Sequence, residues 1–105
     1  MGLEIFWTQF AEDKLNDIFQ YYKYKAGIKT AKKIIHEIVD KTLILEQNNK
    51  SGPIEELLIG KKYEFRYLVS GNYKIIYYIN IEAGKIIIAN VFDSRQNPLK
   101  LNETK

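Results

Sequence analysis

Arg66-Tyr67-Leu68-Val69-Ser70-Gly71-Asn72-Tyr73-Lys74-Ile75-Ile76-Tyr77-Tyr78 decides how this chain folds. From Tyr63 to Val69, aromatic or apolar residues alternate with polar ones for most of the run. Ser70-Gly71-Asn72 interrupts it, and Tyr73 to Ile81 resumes, rich in Ile and Tyr, so the pattern is strand, hairpin turn, strand. Glu82-Ala83-Gly84 breaks the chain again before Lys85 to Phe92 repeats the same chemistry. A three-stranded antiparallel meander is the simplest fit. Along its middle strand, alternation places Ile75, Tyr77 and Ile79 on one face and Lys74, Ile76, Tyr78 and Asn80 on the other.

The residues before the meander supply what covers it. Leu3 to Trp7 reads as a short first strand, bringing the sheet to about four strands. Thr8 is placed to cap a helix, with Glu12 and Asp13 near its positive end. Ala11, Leu15, Ile18, Phe19 and Tyr22 then recur at helical spacing until Gly27 ends the run. Thr30 is expected to cap a second helix, with an apolar stripe of Ala31, Ile34, Ile35, Ile38, Val39, Thr42 and Leu45. Two amphipathic helices joined by a short link form a hairpin, and one face of the sheet is the only large apolar surface left to bury them. The fold class is therefore α+β: an N-terminal strand and an antiparallel helical hairpin packed on one face of an antiparallel sheet of about four strands, in two layers. Lys74, Ile76, Tyr78 and Asn80, the more polar set, are assigned to the face away from the helices. The loop from Gln47 to Pro53 needs no domain boundary, so residues 1–105 are expected to form one domain.

Charge is unevenly spread. Of the 16 Lys and Arg residues only Arg66 and Arg95 are Arg, and residues 61–105 hold eight basic groups against four acidic ones. Where a chain otherwise relies on Lys, an Arg points to a need for the planar, forked guanidinium that grips carboxylate, phosphate or an aromatic face. A net charge of +3 is compatible with an acidic partner or nucleic acid. The chain has no Cys and one His, which rules out disulfides, thiolate chemistry and Cys/His zinc sites. No metal or cofactor is expected. The start of the chain lacks the basic and apolar regions of a signal peptide, and no apolar run approaches membrane-spanning length, so a cytoplasmic setting without a membrane partner is expected. His36 falls one step off the apolar stripe, as a solvated helix residue would, and Glu55 and Glu56 read as a solvated pair.

In order and spacing, these elements resemble the RelE/ParE toxin family of bacterial type II toxin-antitoxin systems. Phe6-Trp7-Thr8 followed by Ala11 and Leu15 is similar to the family's opening. Arg66 to Tyr77 resembles its arginine, strand end, turn and Tyr-Arg/Lys-apolar-apolar-Tyr. Val91-Phe92-Asp93-Ser94-Arg95 resembles its last strand, where Asp93 stands at a position that commonly holds His. The resemblance implies a toxin neutralised by a cognate antitoxin in a hetero-oligomeric complex.

Two activities are implied by the two branches. The ParE branch inhibits DNA gyrase by binding, which would make Arg66, Lys74, Tyr78 and Arg95 a surface for antitoxin or target on one sheet face. The RelE branch cuts messenger RNA on the ribosome, and there Arg66, Lys74, Asp93 and Arg95 would be the catalytic candidates. Attack by a 2′-hydroxyl needs a proton carrier as well as cations. Asp93 has an ordinary carboxylate pKa of roughly 3.9, and Arg95, two residues on along a strand, favours its ionised form. That departure, with the mild net charge, places the chain closer to the ParE branch, with RNA cleavage as the alternative.

Overall fold

The computed structural model describes residues 2–104. Its regular elements are β1 (Glu4–Trp7), α1 (Gln9–Ala26), α2 (Ile28–Thr42), β2 (Arg66–Ser70), β3 (Tyr73–Asn80) and β4 (Lys85–Asp93), with 3₁₀ turns at Leu43–Glu46, Glu56–Leu58 and Pro98–Glu103. Thr8 caps α1 as expected: its backbone is extended and its Oγ1 accepts from the Ala11 amide at 3.1 Å. The boundary between the helices is tighter than the sequence suggested. Gly27, at φ 94°, closes α1 and opens α2 by itself, so α2 starts at Ile28 and Thr30 lies inside its first turn instead of capping it. A residue with a Cβ rarely adopts that φ, which is why the link can be a single glycine.

The sheet order is β1-β4-β3-β2. Strands β2, β3 and β4 form the expected antiparallel meander, and Gly71 takes the positive φ, 58°, that a two-residue hairpin loop needs at its first central position. The first strand departs from expectation, because β1 runs parallel to β4, with Glu4 opposite Lys85 and Trp7 opposite Ile88. Parallel neighbours need a long crossover, and the helical hairpin and the rest of the meander provide one. The sheet is therefore mixed.

Ile18, Ile38, Leu68, Ile75, Tyr77, Ile88 and Val91 form the core between helices and sheet. The alternation read from β3 holds, with Ile76 and Tyr78 on the opposite face. That face is not open, however. Leu58, Phe65, Ala89, Phe92 and Leu101 join Ile76 in a second, smaller cluster under the 3₁₀ turns at Glu56–Leu58 and Pro98–Glu103. Two layers thus become two with a thin third. A shift in the β3–β4 register, where Ile76 opposes Asn90 but Tyr77 opposes Ile88, leaves Ala89 as an extra residue in β4. The bulge shifts the alternation along β4, so that Ile86, Ile88 and Val91 face the helices while Ala89 and Phe92 face the second cluster.

Candidate functional site

At the end of β4 the chain leaves the sheet beside α1. Asp93 is opposite Tyr73 and shares the helix-side face with Val91. The Arg95 guanidinium folds back onto Asp93, donating from Nε at 3.0 Å to Oδ1 and from Nη2 at 2.9 Å to Oδ2, while the Arg95 amide also donates to Oδ1. These contacts hold the Asp93 carboxyl below the usual carboxylate range, the guanidinium hydrogen bonds weighing most, and they raise the Arg95 pKa in return. Tyr73 donates to the Tyr22 hydroxyl at 3.4 Å, and burial, followed by that hydrogen bond, pushes its own pKa well up. Lys14, Asp17 and Tyr21 of α1 face Tyr73, Asp93 and Arg95 across an open cleft of about 340 Å³. Arg95 remains 54% exposed. Asp93 occupies two of its five N–H groups and the Tyr22 hydroxyl is a further partner, so the fork still keeps donors for a carboxylate or phosphate entering the cleft.

Arg66 sits elsewhere on the same face. It opposes Tyr77, and its Nη1 donates to the Gly52 carbonyl at 2.9 Å while Nη2 meets the Glu64 carboxylate at 2.9 Å. The Tyr77 hydroxyl accepts from the Gly52 amide at 3.1 Å, and burial raises the Tyr77 pKa. Arg66 and Tyr77 thus clasp Gly52 from both sides of its peptide. A Cβ on Gly52 would run into the Tyr67 carbonyl and the Tyr77 hydroxyl.

Lys74 and Tyr78 occupy the other face of β3. Lys74 donates to Glu55 Oε1 at 2.8 Å and lies 4.4 Å from the Tyr67 ring centroid. Tyr78 stacks on Tyr63 with centroids 3.9 Å apart and planes within 11°. Its hydroxyl is raised in pKa by burial first and by Tyr63 second.

The four residues expected on a single sheet face are therefore split, and the expectation needs correcting. Arg66 has the parity of Leu68 and Tyr77, and Arg95 follows Asp93, so both belong to the helix side; Lys74 shares the parity of Ile76 and Tyr78. Even the two arginines are apart, because Tyr77 and Tyr73 stand four residues from each other on β3, on the order of 13 Å. Glu55, expected as one of a solvated pair with Glu56, is instead buried. Its side chain is only 5% exposed and holds both Lys74 and the Leu57 amide. The Glu55-Glu56 pair gave no sign of this, since which neighbour turns inward depends on the Ile54–Arg66 bridge. His36 is exposed on α2, and no group of three or more metal-ligating side chains occurs among the described residues.

A family model described as the ParE toxin of the type II toxin-antitoxin system, parDE, matches residues 5–98. The fold is similar to a solved chain of the chromosomal ParDE toxin-antitoxin system from P. aeruginosa, with a TM-score of 0.71 and 19% sequence identity over 87% of this chain and 95% of that one. No curated protein matches this chain.

Proposed function

This chain belongs to the ParE toxin family of type II toxin-antitoxin systems, and from that premise we propose that it acts in the cytoplasm by binding DNA gyrase and is neutralised by a cognate antitoxin. The observation that carries the choice of binding over RNA cleavage is the Asp93–Arg95 pair. A general base or acid works best with a pKa near the operating pH. Asp93 is driven away from that range by Arg95, and the Tyr73 hydroxyl beside it is driven away in the opposite direction by burial. Neither is poised to carry a proton near neutrality. A half-exposed guanidinium at the mouth of a cleft is instead suited to holding an anionic group of a partner.

The four candidate residues take different places in this reading. Arg95, with its cleft, is the contact offered to an acidic side chain of antitoxin or target. Lys74 and Arg66 contribute by holding the Glu55 and Gly52 segments in position, and Tyr78 does so through its stack on Tyr63. No helix among the described residues is long and apolar enough to cross a membrane.

The test is to incubate the purified protein with gyrase, ATP and plasmid DNA, stop with denaturant and look for linear DNA. The expected result is accumulation of linear plasmid, abolished by the antitoxin. A folded preparation that leaves gyrase unaffected and cleaves messenger RNA on ribosomes would overturn the reading. Arg95→Ala should weaken antitoxin binding measurably through the loss of a charge-assisted contact, with the fold intact.

A further inference from the structure

No Asp or Glu occurs between Asp17 and Glu37, while Lys23, Lys25, Lys29, Lys32 and Lys33 all do. The fold gathers these five at one end of the molecule. Lys23 and Lys25 lie in the last turn of α1, Lys29 lies in the first turn of α2, and a single glycine joins the two helices. Lys29, Lys32 and Lys33 are spaced i, i+3, i+4 and share one side of α2. All five are exposed, and none forms an ion pair among the described residues.

Helix stability does not explain the arrangement. Cations suit the end of α1 but oppose the dipole at the start of α2, where the first turn holds no acid and Gly27 offers no capping side chain. Lys29 and Lys33 also repel each other one turn apart. A group that relieves this repulsion must bring several negative charges to the hairpin tip.

We propose that the tip of the helical hairpin binds the phosphate backbone of duplex DNA. Phosphates along a strand present closely spaced charge without needing a groove, and Lys supplies mobile point charges that grip them without reading sequence. An apolar-anchored peptide fits poorly. Lys29, Thr30, Lys32, Lys33 and His36 line one side of α2, with Glu37 and Asp40 at its far end, and Ile28, half exposed at the start of the helix, is the apolar side chain nearest them. Tyr24, 87% exposed between Lys23 and Lys25, adds a ring that can lie against sugar. The inference is independent of gyrase, since it requires only this chain and DNA.

The experiment is fluorescence anisotropy of a short labelled duplex of arbitrary sequence, titrated with the protein, with Lys29→Gln/Lys32→Gln/Lys33→Gln, and with Lys50→Gln/Lys61→Gln/Lys100→Gln as a control of equal charge outside the hairpin. Each phosphate neutralised contributes a salt slope of about −0.9, so three lysines make the wild-type slope steeper by about 2.7. Between about 50 and 200 mM salt the wild type then loses roughly forty-fold more affinity than the tip variant. The control should retain most of the wild-type affinity and slope. Equal losses in the two variants, or tighter binding of polyglutamate than of duplex at equal charge, would overturn the proposal, the latter in favour of an acidic protein. Circular dichroism of both variants separates these outcomes from misfolding. A gyrase assay run in parallel reads the functional proposal separately.

Discussion

Four cations around the sheet and five at the hairpin tip are used in opposite ways. Arg66, Lys74, Lys85 and Arg95 each meet a carboxylate, from Glu64, Glu55, Glu4 and Asp93 respectively. Lys23, Lys25, Lys29, Lys32 and Lys33 meet none among the described residues. Counted along the sequence, the positive excess belongs to residues 61–105; counted in space, the densest group of cations without a carboxylate partner among the described residues is at the hairpin, while Lys14, Lys41, Lys50, Lys61, Lys62 and Lys100 lie scattered. The difference arises because Lys74 and Lys85 draw their partners from distant segments, and because the two helix ends bring together the five lysines of the acid-free stretch 18–36. If the contrast is real, substitutions on the sheet should be read mainly in stability and substitutions at the tip mainly in binding.

The largest break is expected at Gly52, whose peptide holds both Arg66 and Tyr77. Gly52→Ala forces a methyl group against the Tyr67 carbonyl, a backbone atom that cannot rotate away. Overpacking of this kind costs about 3 kcal/mol, and urea unfolding should show it as a lower midpoint. A midpoint equal to wild type would mean that the loop from Gln47 to Pro53 is free to move off the sheet, and Arg66 would rejoin the list of available cations.

Glu55→Gln comes next. The change keeps the shape but leaves Lys74, only 26% exposed, without a countercharge. Removing one partner of a fully buried pair costs roughly 3–5 kcal/mol, and the partial exposure of Lys74 brings the expected figure down to about 2 kcal/mol. Lys32→Gln, measured in the same way, should cost nothing measurable. Similar costs for the two would erase the distinction between paired and unpaired cations.

Much of this fold was legible in the sequence, and the reasons are local. The period-two run in β3 separated Tyr77 from Tyr78 correctly, and Thr8 announced the start of α1, because alternation and capping are decided within a few residues. The parallel pairing of β1 depends on where a strand returns after the whole crossover, and no local pattern encodes that. Burial of Glu55 and pairing of Lys74 depend on a bridge between Ile54 and Arg66, twelve positions apart along the chain by their numbers. The site suffered most, since parity along a single strand cannot place Arg66 and Arg95, which enter from β2 and from beyond β4. The lysines of the tip were also within reach of the sequence, since residues 18–36 hold five Lys and no acid and fall in the expected helical hairpin, but the uneven charge was located only in residues 61–105.

The Asp93–Arg95 pair gives a smaller effect, visible in acid. Asp93 has a folded-state pKa below its unfolded value, so its contribution to stability is fully present above the ordinary carboxylate range. It is lost as pH falls from about 4 through the lower folded value. Wild type should therefore lose more stability than Asp93→Asn across that window, and the two should run parallel above it. Because Arg95 is half exposed, the gap should be narrower than the cost of Glu55→Gln. Parallel curves down to the lowest pH would show that the pair is too loosely held to be structural and that Arg95 is freer for a partner than its geometry implies.

The smallest expected effect has the opposite sign, and it sharpens the comparison most. Lys29 stands in the first turn of α2, at the positive end of the helix dipole and one turn from Lys33. Lys29→Glu exchanges an unfavourable charge for a favourable one in the first turn and turns a like-charge pair into an attractive one. The two contributions together should stabilise the protein by about 0.5–1 kcal/mol, measured by urea unfolding at low salt and diminishing as salt screens it. The same substitution should steepen the loss of DNA affinity beyond that of Lys29→Gln, since it adds repulsion to a missing contact. A variant that is more stable yet binds DNA more weakly would show that Lys29 is kept at a cost to the helix. Destabilisation by Lys29→Glu would instead mean that the lysine supports the hairpin itself, and the tip would then resemble the sheet, with its cations employed in holding the fold.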